Sequence, residues 1–156
     1  MASNSSGGVL TGKVCRDEVV RIARSWIGTP YHHQASCIGV GADCLGLVRG
    51  VYRSLYGQEA EEPPPYSPDW GEASGRETLI SAARRNFCEG DVGDPQPGDV
   101  LVFRMCRGAI AKHAAILVSA STMAHAVERI GVIEIPFAHW WRRRLVGVFV
   151  FPGIEV

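Results

Sequence analysis

The spacing of the apolar residues changes once along this chain, from a helical to a strand-like pattern. Before a turn at residues 95–99, apolar side chains recur every three or four positions, and after it short, mostly apolar segments follow one another. The first pattern predicts helices over residues 16–26, 44–55 and 76–87. The second predicts strands over residues 100–103, 111–118, 123–128, 132–135 and 145–151. Helices followed by strands indicate an α+β domain, in which N-terminal helices pack on a central antiparallel β-sheet.

The length and charge of the chain narrow its class further. A chain of 156 residues suits one globular domain, for which we expect a flexible tail over residues 1–15 and a single domain over residues 16–156. Lys plus Arg and Asp plus Glu both number 16, and this balance argues against a nucleic-acid-binding protein. The five cysteines are irregularly spaced and odd in number, so they predict no disulfide framework and indicate a reducing compartment.

Two segments bear on localisation and on surface loops. Residues 2–8 are small or polar and lack the basic and apolar regions of a signal peptide, and no later apolar run is long enough to cross a membrane. We therefore expect a protein made in the cytoplasm without membrane insertion.

Residues 57–75 contain several glutamates and three consecutive prolines, a composition typical of a surface loop. This loop is either a lid, a docking segment or a solvated connection.

A cysteine stands at the start of the second predicted helix, in the run Gly41-Ala42-Asp43-Cys44-Leu45-Gly46-Leu47-Val48. Asp43 is suited to cap this helix and Gly57 to end it. Because the N-terminus of a helix favours an anion, we expect a lowered pKa for the Cys44 thiol, partly offset by the charge of Asp43. Cys44 is therefore a candidate nucleophile. The alternative is an ordinary buried cysteine that acts as a small apolar side chain.

A histidine on the second predicted strand supplies the other half of this chemistry. Alternation places His113 on one strand face with Ala115 and Leu117. Gly46 and Ala115 are both small, so the Cys44 helix and this strand could approach closely. At hydrogen-bond distance, His113 would take the proton of the thiol as a base and later return it to a leaving amine.

A catalytic histidine needs a third group that orients its ring, and two residues of the next strand compete for that role. A two-residue turn at Ala120 and Ser121 would set Glu128 opposite His113, whereas an odd-length loop would bring His125 to the face of His113. The residues alone leave this register open.

Other polar residues suggest weaker possibilities. Tyr31, His32 and His33 could line a site just before the Cys44 helix, or they could be ordinary loop residues. The histidines and cysteines lack the short cysteine spacing of a structural zinc site, so we expect no metal and no cofactor.

Five short motifs in order resemble one enzyme family. These are Gly28-Thr29-Pro30-Tyr31, Asp43-Cys44-Leu45-Gly46-Leu47-Val48, Pro97-Gly98-Asp99-Val100-Leu101-Val102-Phe103, His113-Ala114-Ala115-Ile116, and Ala124-His125-Ala126 followed by Gly131-Val132. They are similar to the signatures of the NlpC-type papain-like cell-wall peptidases. More narrowly, the chain resembles the subgroup encoded with phage tails and gene transfer agents. The resemblance covers residues 16–151.

The resemblance implies a reduced papain-like fold and roles for five residues. Cys44 would be the nucleophile, His113 the base and His125 the third catalytic residue. Tyr31 would lie near the oxyanion, and Asp43 would contact substrate. The reaction implied is hydrolysis of an amide bond in a peptidoglycan stem peptide, usually on the γ-linked side of D-glutamate.

The resemblance also implies partners and a place of action. The protein would act at the periplasmic cell wall within a phage-like particle, beside tail or baseplate proteins, and would aid DNA delivery. Leu45 departs from the family, which often has serine there to help bind the stem peptide. The alternatives are a structural tail protein with a vestigial site, or a thiol acyltransferase. Residues 139–144 (His-Trp-Trp-Arg-Arg-Arg) could contact glycan, acidic peptides or a tail subunit. Alternatively, the tryptophans pack against the protein and the arginines are solvated, and we expect this second arrangement.

Overall fold

A computed structural model describes residues 13–61, 63 and 76–155. Four helices are present in this part of the chain: α1 (Arg16–Ser25), α2 (Cys44–Tyr56), α3 (Thr78–Asn86) and α4 (His139–Arg142). The strands are β1 (Ser36–Cys37), β2 (Gly41–Ala42), β3 (Cys88–Glu89), β4 (Val100–Phe103), β5 (His113–Leu117), β6 (Thr122–Val127), β7 (Gly131–Pro136) and β8 (Leu145–Val150). Six of them form one antiparallel sheet in the order β3-β8-β4-β5-β6-β7.

The predicted α+β class and the helices-then-strands order are confirmed. The three predicted helices and five predicted strands are all present, with ends that differ by three residues or fewer. Four short elements, β1, β2, β3 and α4, were not predicted, because segments of two to four residues are too short to show a period.

The central sheet buries a different set of side chains on each face. The helix-side core joins α1, α2 and α3 to the sheet through residues such as Leu47, Val51, Ala114 and Ile116. The outer core lies on the opposite face, and its buried members are Leu101, Phe103, Ala115, Leu117, Met123, Phe137 and Val148. Trp141 of α4 packs against this outer core. Strand β5 therefore contributes alternate residues to two separate apolar clusters.

Helix α2 begins and ends as its sequence predicts. The Asp43 carboxylate accepts a hydrogen bond from the Gly46 N–H at 2.7 Å, which satisfies a backbone donor of the first turn. At the other end, Gly57 adopts a left-handed conformation with φ of 74°, which glycine tolerates well. These two residues place Cys44 at the first position of the helix.

The loop before α2 folds back onto the start of that helix. A Cβ added at Gly46 would lie 1.8 Å from the Ala35 carbonyl oxygen, so only glycine permits this approach. The Ser36 hydroxyl donates to the Gly46 carbonyl at 2.6 Å. The expectation that Gly46 and Ala115 bring helix and strand together is wrong, because Ala115 faces the outer core and Gly46 accommodates the loop.

The predicted tail and surface loop lie largely outside the described residues. Of the tail, residues 13–15 are described, and Val14 packs against the helix-side core. Of the loop at 57–75, residues 57–61 and 63 are described; Glu59 pairs with Arg49 and Arg53 of α2. Within the described part of the chain, no helix is long and apolar enough to cross a membrane.

Candidate active site

The Cys44 thiol lies where the start of α2 meets β5. Backbone N–H groups of Ala114, Leu45 and Cys44 lie close enough to its sulfur to favour the thiolate and so to lower the pKa of the thiol. The contact with Ala114 places the sulfur beside the residue that follows His113 in β5. The helix therefore brings the candidate nucleophile next to the strand that carries the candidate base.

The predicted lowering of the Cys44 pKa is wrong. Burial of the thiol and, to a smaller extent, the nearby charge of Asp43 together raise its pKa to about 11, although the three N–H contacts oppose both effects. The helix start does favour an anion, as expected, but burial destabilises the thiolate more than these donors stabilise it. Near neutral pH the resting thiol therefore keeps its proton.

The strand register brings the two candidate histidines together. Ile116 of β5 pairs with Ala124 of β6, so His125 points to the same sheet face as His113. Their rings form a hydrogen bond of 2.9 Å between His113 Nε2 and His125 Nδ1. Glu128, the competing residue, is exposed in the turn after β6. The structure thus has the odd-length connection between the strands, which selects His125 over Glu128 as the neighbour of His113.

The hydrogen bond between the histidines decides which nitrogen of His113 remains for the thiol. With Nε2 bonded to His125, Nδ1 is the ring nitrogen still available, and it is the one nearer the backbone. Within the described residues, no hydrogen bond joins the Cys44 sulfur directly to His113; the sulfur contacts the adjacent Ala114 N–H instead. The structure therefore places the Cys44 sulfur beside Ala114, the residue that follows His113, and places His113 and His125 in direct contact.

Burial keeps both imidazoles neutral. It lowers the pKa of His113 to about 3, with a further contribution from His125, and lowers that of His125 to about 4. His125 is 4% exposed, and its Nε2 has no hydrogen-bond partner among the described residues. No described carboxylate forms an ion pair with either ring, whereas His33 does lie 3.9 Å from Asp43. Among the residues that the structure describes, no ion pair therefore compensates a positive charge on His113 or His125.

Trp141 is a site residue that sequence reasoning did not identify. Its ring lies 5.6 Å from that of His113 and 5.2 Å from that of His125. The sequence did not predict α4, so the contacts of Trp141 with the two histidines could not be inferred. The prediction that the tryptophans pack holds for Trp141, while Trp140 is 49% exposed.

Tyr31 shares the surroundings of the thiol. It forms a parallel bridge with Ala42, two residues before Cys44. Burial raises the pKa of its hydroxyl to about 12, with further contributions from Cys44, Asp43 and Glu128. The hydroxyl is therefore a protonated donor near the nucleophile, as a role in oxyanion binding requires.

Asp43 is committed to the structure of the loop. Its two carboxylate oxygens accept hydrogen bonds from the Gly46 N–H at 2.7 Å and the Gln34 N–H at 2.8 Å, and the residue is buried. A contact between Asp43 and substrate stays a prediction. His32 and His33 lie on this loop, and the described residues contain no cluster of three or more metal-ligating side chains.

The chain is similar to known proteins in both sequence and fold. Residues 28–150 match the sequence model of the NlpC/P60 family. No curated protein sequence matches the chain. Among solved structures, an NlpC/P60 family protein from Bacillus cereus ATCC 10987 is similar at 21% identity and a TM-score of 0.65, over 88% of this chain and 40% of that one.

Two further structures show the same fold. The NlpC/p60 domain of the peptidoglycan hydrolase SagA has 21% identity and a TM-score of 0.64, over 88% of this chain and 100% of that domain. An NLP/P60 family protein from Staphylococcus aureus subsp. aureus Mu50 has 20% identity and a TM-score of 0.57, over 99% of this chain and 46% of that one. The chain thus spans less than half of the B. cereus and S. aureus proteins. The chain belongs to the NlpC/P60 family and has its papain-like fold.

Proposed function

We propose that this protein is a cysteine peptidase that hydrolyses amide bonds in the peptide stems of peptidoglycan. The observation that carries the proposal is the meeting of Cys44 with the backbone of β5, next to a His113–His125 hydrogen bond of 2.9 Å. Membership of the NlpC/P60 family supports the reaction class, and the peptidoglycan hydrolase SagA, which has the same fold, supports the substrate class.

The first half of the reaction joins the substrate to the enzyme. In this mechanism the Nε2–H group of His113 donates a hydrogen bond to His125 Nδ1, which leaves Nδ1 of His113 free to act as a base. As the Cys44 sulfur attacks the carbonyl carbon, the thiol proton moves to His113 Nδ1. The Cys44 N–H and the Tyr31 hydroxyl donate to the oxyanion that forms. The amide C–N bond then breaks, and the leaving amine takes the proton from His113.

The second half releases the product. Water attacks the thioester and gives a proton to His113, the sulfur–carbon bond breaks, and the thiolate regains the proton. Because the resting thiol and imidazole are both neutral, proton transfer accompanies attack. Charge is therefore created at the site only while substrate is present.

The bond cleaved and the biological setting are narrower parts of the proposal, and both depend on motif resemblance. We place cleavage at the γ-D-glutamyl linkage, with Leu45 replacing a family serine near the stem peptide. We place the protein in a phage-like tail or baseplate that reaches the periplasmic cell wall and opens it for DNA delivery. Its partners there would be stem peptides and neighbouring tail proteins.

Digestion of purified peptidoglycan tests the proposal. Wild-type protein and Cys44→Ala would be incubated with intact sacculi and with soluble muropeptides, and the products identified by mass spectrometry. We expect cleaved stem peptides from wild type and none from the variant, and the fragment masses identify the bond. Cys37→Ala is the matched control, because Cys37 is an exposed free cysteine outside the site. Uncleaved substrate from folded wild-type protein, alone and within an assembled particle, would favour a structural tail protein instead.

A further inference from the structure

We propose that Trp141 is a positioning residue for the His113–His125 pair, which holds the two rings at their hydrogen-bonding angle and excludes water from them. Its role in catalysis rests on the proposed function. Its effect on the histidines does not, and can be measured without any substrate.

The geometry of three rings carries this proposal. Trp141 is tilted by 33° against His113 at 5.6 Å, and it meets His125 at 86° and 5.2 Å. The two histidine rings are themselves 5.2 Å apart at 78°. The indole therefore contacts both partners of the hydrogen bond. If it were removed, each imidazole would lose a neighbour and gain a path to water.

The position of Trp141 is itself fixed by the outer core. Its ring packs edge-on against Phe103 at 5.0 Å and Trp140 at 4.8 Å. The side chain of Arg142, the last residue of α4, reaches back to the segment before the helix, where its guanidinium stacks over Phe137 at 4.3 Å and donates to the Phe137 carbonyl oxygen. At the end, the Arg144 carbonyl accepts a hydrogen bond from the Arg104 N–H, which joins α4 to β4. A short helix held at both ends can orient a side chain with little freedom.

The surroundings of the pair explain why exclusion of water matters. The titratable or charged groups on adjoining elements are Cys44 and Asp43 at α2, Tyr31 before β1, Arg104 and Lys112 between β4 and β5, Glu128 after β6, and His139 and Arg142 on α4. None of the described carboxylates among them forms an ion pair with His113 or His125. Burial is the main reason why the pKa values of both rings are low. Opening the apolar cover should therefore raise both values.

This role predicts a specific kinetic effect. His113 must be neutral to accept the thiol proton, so a low pKa keeps the base available in acid. With Trp141 in place, kcat should be nearly constant from pH 8 down to about 5. Without it, kcat should begin to decline at a higher pH than in wild type, because the pKa of His113 moves toward the ordinary histidine value of about 6.5. The effect should appear in the pH dependence of kcat, because the indole contacts the histidine rings.

NMR titration of the imidazole resonances tests the proposal directly. Signals of the pair are assigned with His113→Asn and His125→Asn, and chemical shifts are followed in wild type, Trp141→Phe and Trp141→Leu. The titration runs from pH 8 to about pH 2.5, so that it includes the pKa values of about 3 and about 4. We expect both pKa values to increase in the order Trp, Phe, Leu, by about one unit or more in the leucine variant. Val92→Ala is the control, since it removes a half-exposed apolar side chain in the loop between β3 and β4, outside the group of rings.

Each outcome decides the question. Titration curves that are the same in wild type and both Trp141 variants would overturn the proposal and leave Trp141 as ordinary packing. If Trp141→Leu does not fold, the phenylalanine variant decides alone: an intermediate upward shift supports the proposal, and no shift overturns it. If the protein proves to have no peptidase activity, the titration still reports on the pair, so failure of the proposed function remains distinguishable.

Discussion

The two faces of β5 bury titratable groups in different surroundings. On the helix side, Ala114 meets a thiol at the start of α2, surrounded by backbone N–H donors and the Asp43 carboxylate. On the outer side, His113 meets an imidazole and aromatic rings, with no described carboxylate in contact. Burial raises the pKa of the thiol and lowers those of the imidazoles.

This comparison shows that one physical effect acts on both halves of the site. Burial favours whichever form is neutral, so it opposes a thiolate on one face and an imidazolium on the other. The resting site is therefore a neutral pair rather than a preformed ion pair. The reaction must supply the free energy for charge separation, which the N–H donors at the sulfur and the Tyr31 hydroxyl would then stabilise.

Among variants that keep Cys44 and His113, the largest expected effect separates the two candidates for the third catalytic residue. His125→Ala removes the hydrogen-bond partner of His113 Nε2, so turnover of muropeptides should fall by about 100-fold or more. Glu128→Gln is the control, because that side chain is exposed, and its turnover should stay within about twofold of wild type. The reverse ranking would assign the role to Glu128.

The second prediction tests whether close packing of the Ala35 loop against the start of α2 requires glycine at position 46. Gly46→Ala places a Cβ against the Ala35 carbonyl, so the loop must move and its hydrogen bonds to α2 must break. We expect the free energy of unfolding to decrease by about 2–4 kcal/mol in urea titrations. Gly57→Ala has open space and should cost about 1–2 kcal/mol through its positive φ alone. Equal losses would mean that the loop contact is not what requires glycine.

A third prediction concerns acid stability on the outer face. The folded-state pKa values of His113 and His125, about 3 and 4, lie below the ordinary histidine value of about 6.5. Between these limits the unfolded chain binds more protons, so stability should fall as the pH decreases from about 6.5 toward 4. Each histidine contributes up to about 1.4 kcal/mol per pH unit.

Chemical denaturation at several pH values measures this slope. His125→Asn should reduce the slope by about half between pH 6 and pH 4.5, because one of the two proton-linked groups is gone. A slope unchanged in this variant would show that other groups govern acid unfolding. It would also contradict the claim that the outer core holds a neutral pair.

The smallest effect concerns the charge beside the thiol. Asp43→Asn removes a negative charge that raises the Cys44 pKa, so the pKa should decrease. Burial, the larger cause, remains, and the value should stay above the ordinary thiol value of about 8.5. The pH dependence of Cys44 alkylation by iodoacetamide reports this shift. A pKa unchanged by the substitution would show that Asp43 does not act on the thiol.

Sequence patterns predicted the elements well because their period is local. Alternation and helical spacing located all five long strands and the helix that carries Cys44, and the cap at Asp43 follows from one side chain. The pairing of His125 with His113 was different. It depends on the connection between β5 and β6, whose length alternation alone does not define, so either His125 or Glu128 remained possible until the register was observed.

Two features of the site depend on contacts between distant parts of the chain. Position 46 requires glycine because the carbonyl oxygen of Ala35, a loop residue, lies against it, and no local sequence pattern reveals this contact. The pKa of Cys44 was misjudged because helix position can be read from the sequence, whereas the depth of burial cannot. Trp141 was not identified because α4, the short helix that brings its ring against His113 and His125, was not predicted from the sequence.

The most direct test of the account is a double-mutant cycle between the two faces of β5. Turnover of a soluble muropeptide would be measured for wild type, Cys44→Ser, His113→Ala and the double variant. If the two residues act as one catalytic unit, each single variant should lose about 1,000-fold or more, and the double variant should lose no more than the worse single one. Turnover of His113→Ala within about tenfold of wild type, or losses that multiply in the double variant, would contradict the claim that Cys44 and His113 work together.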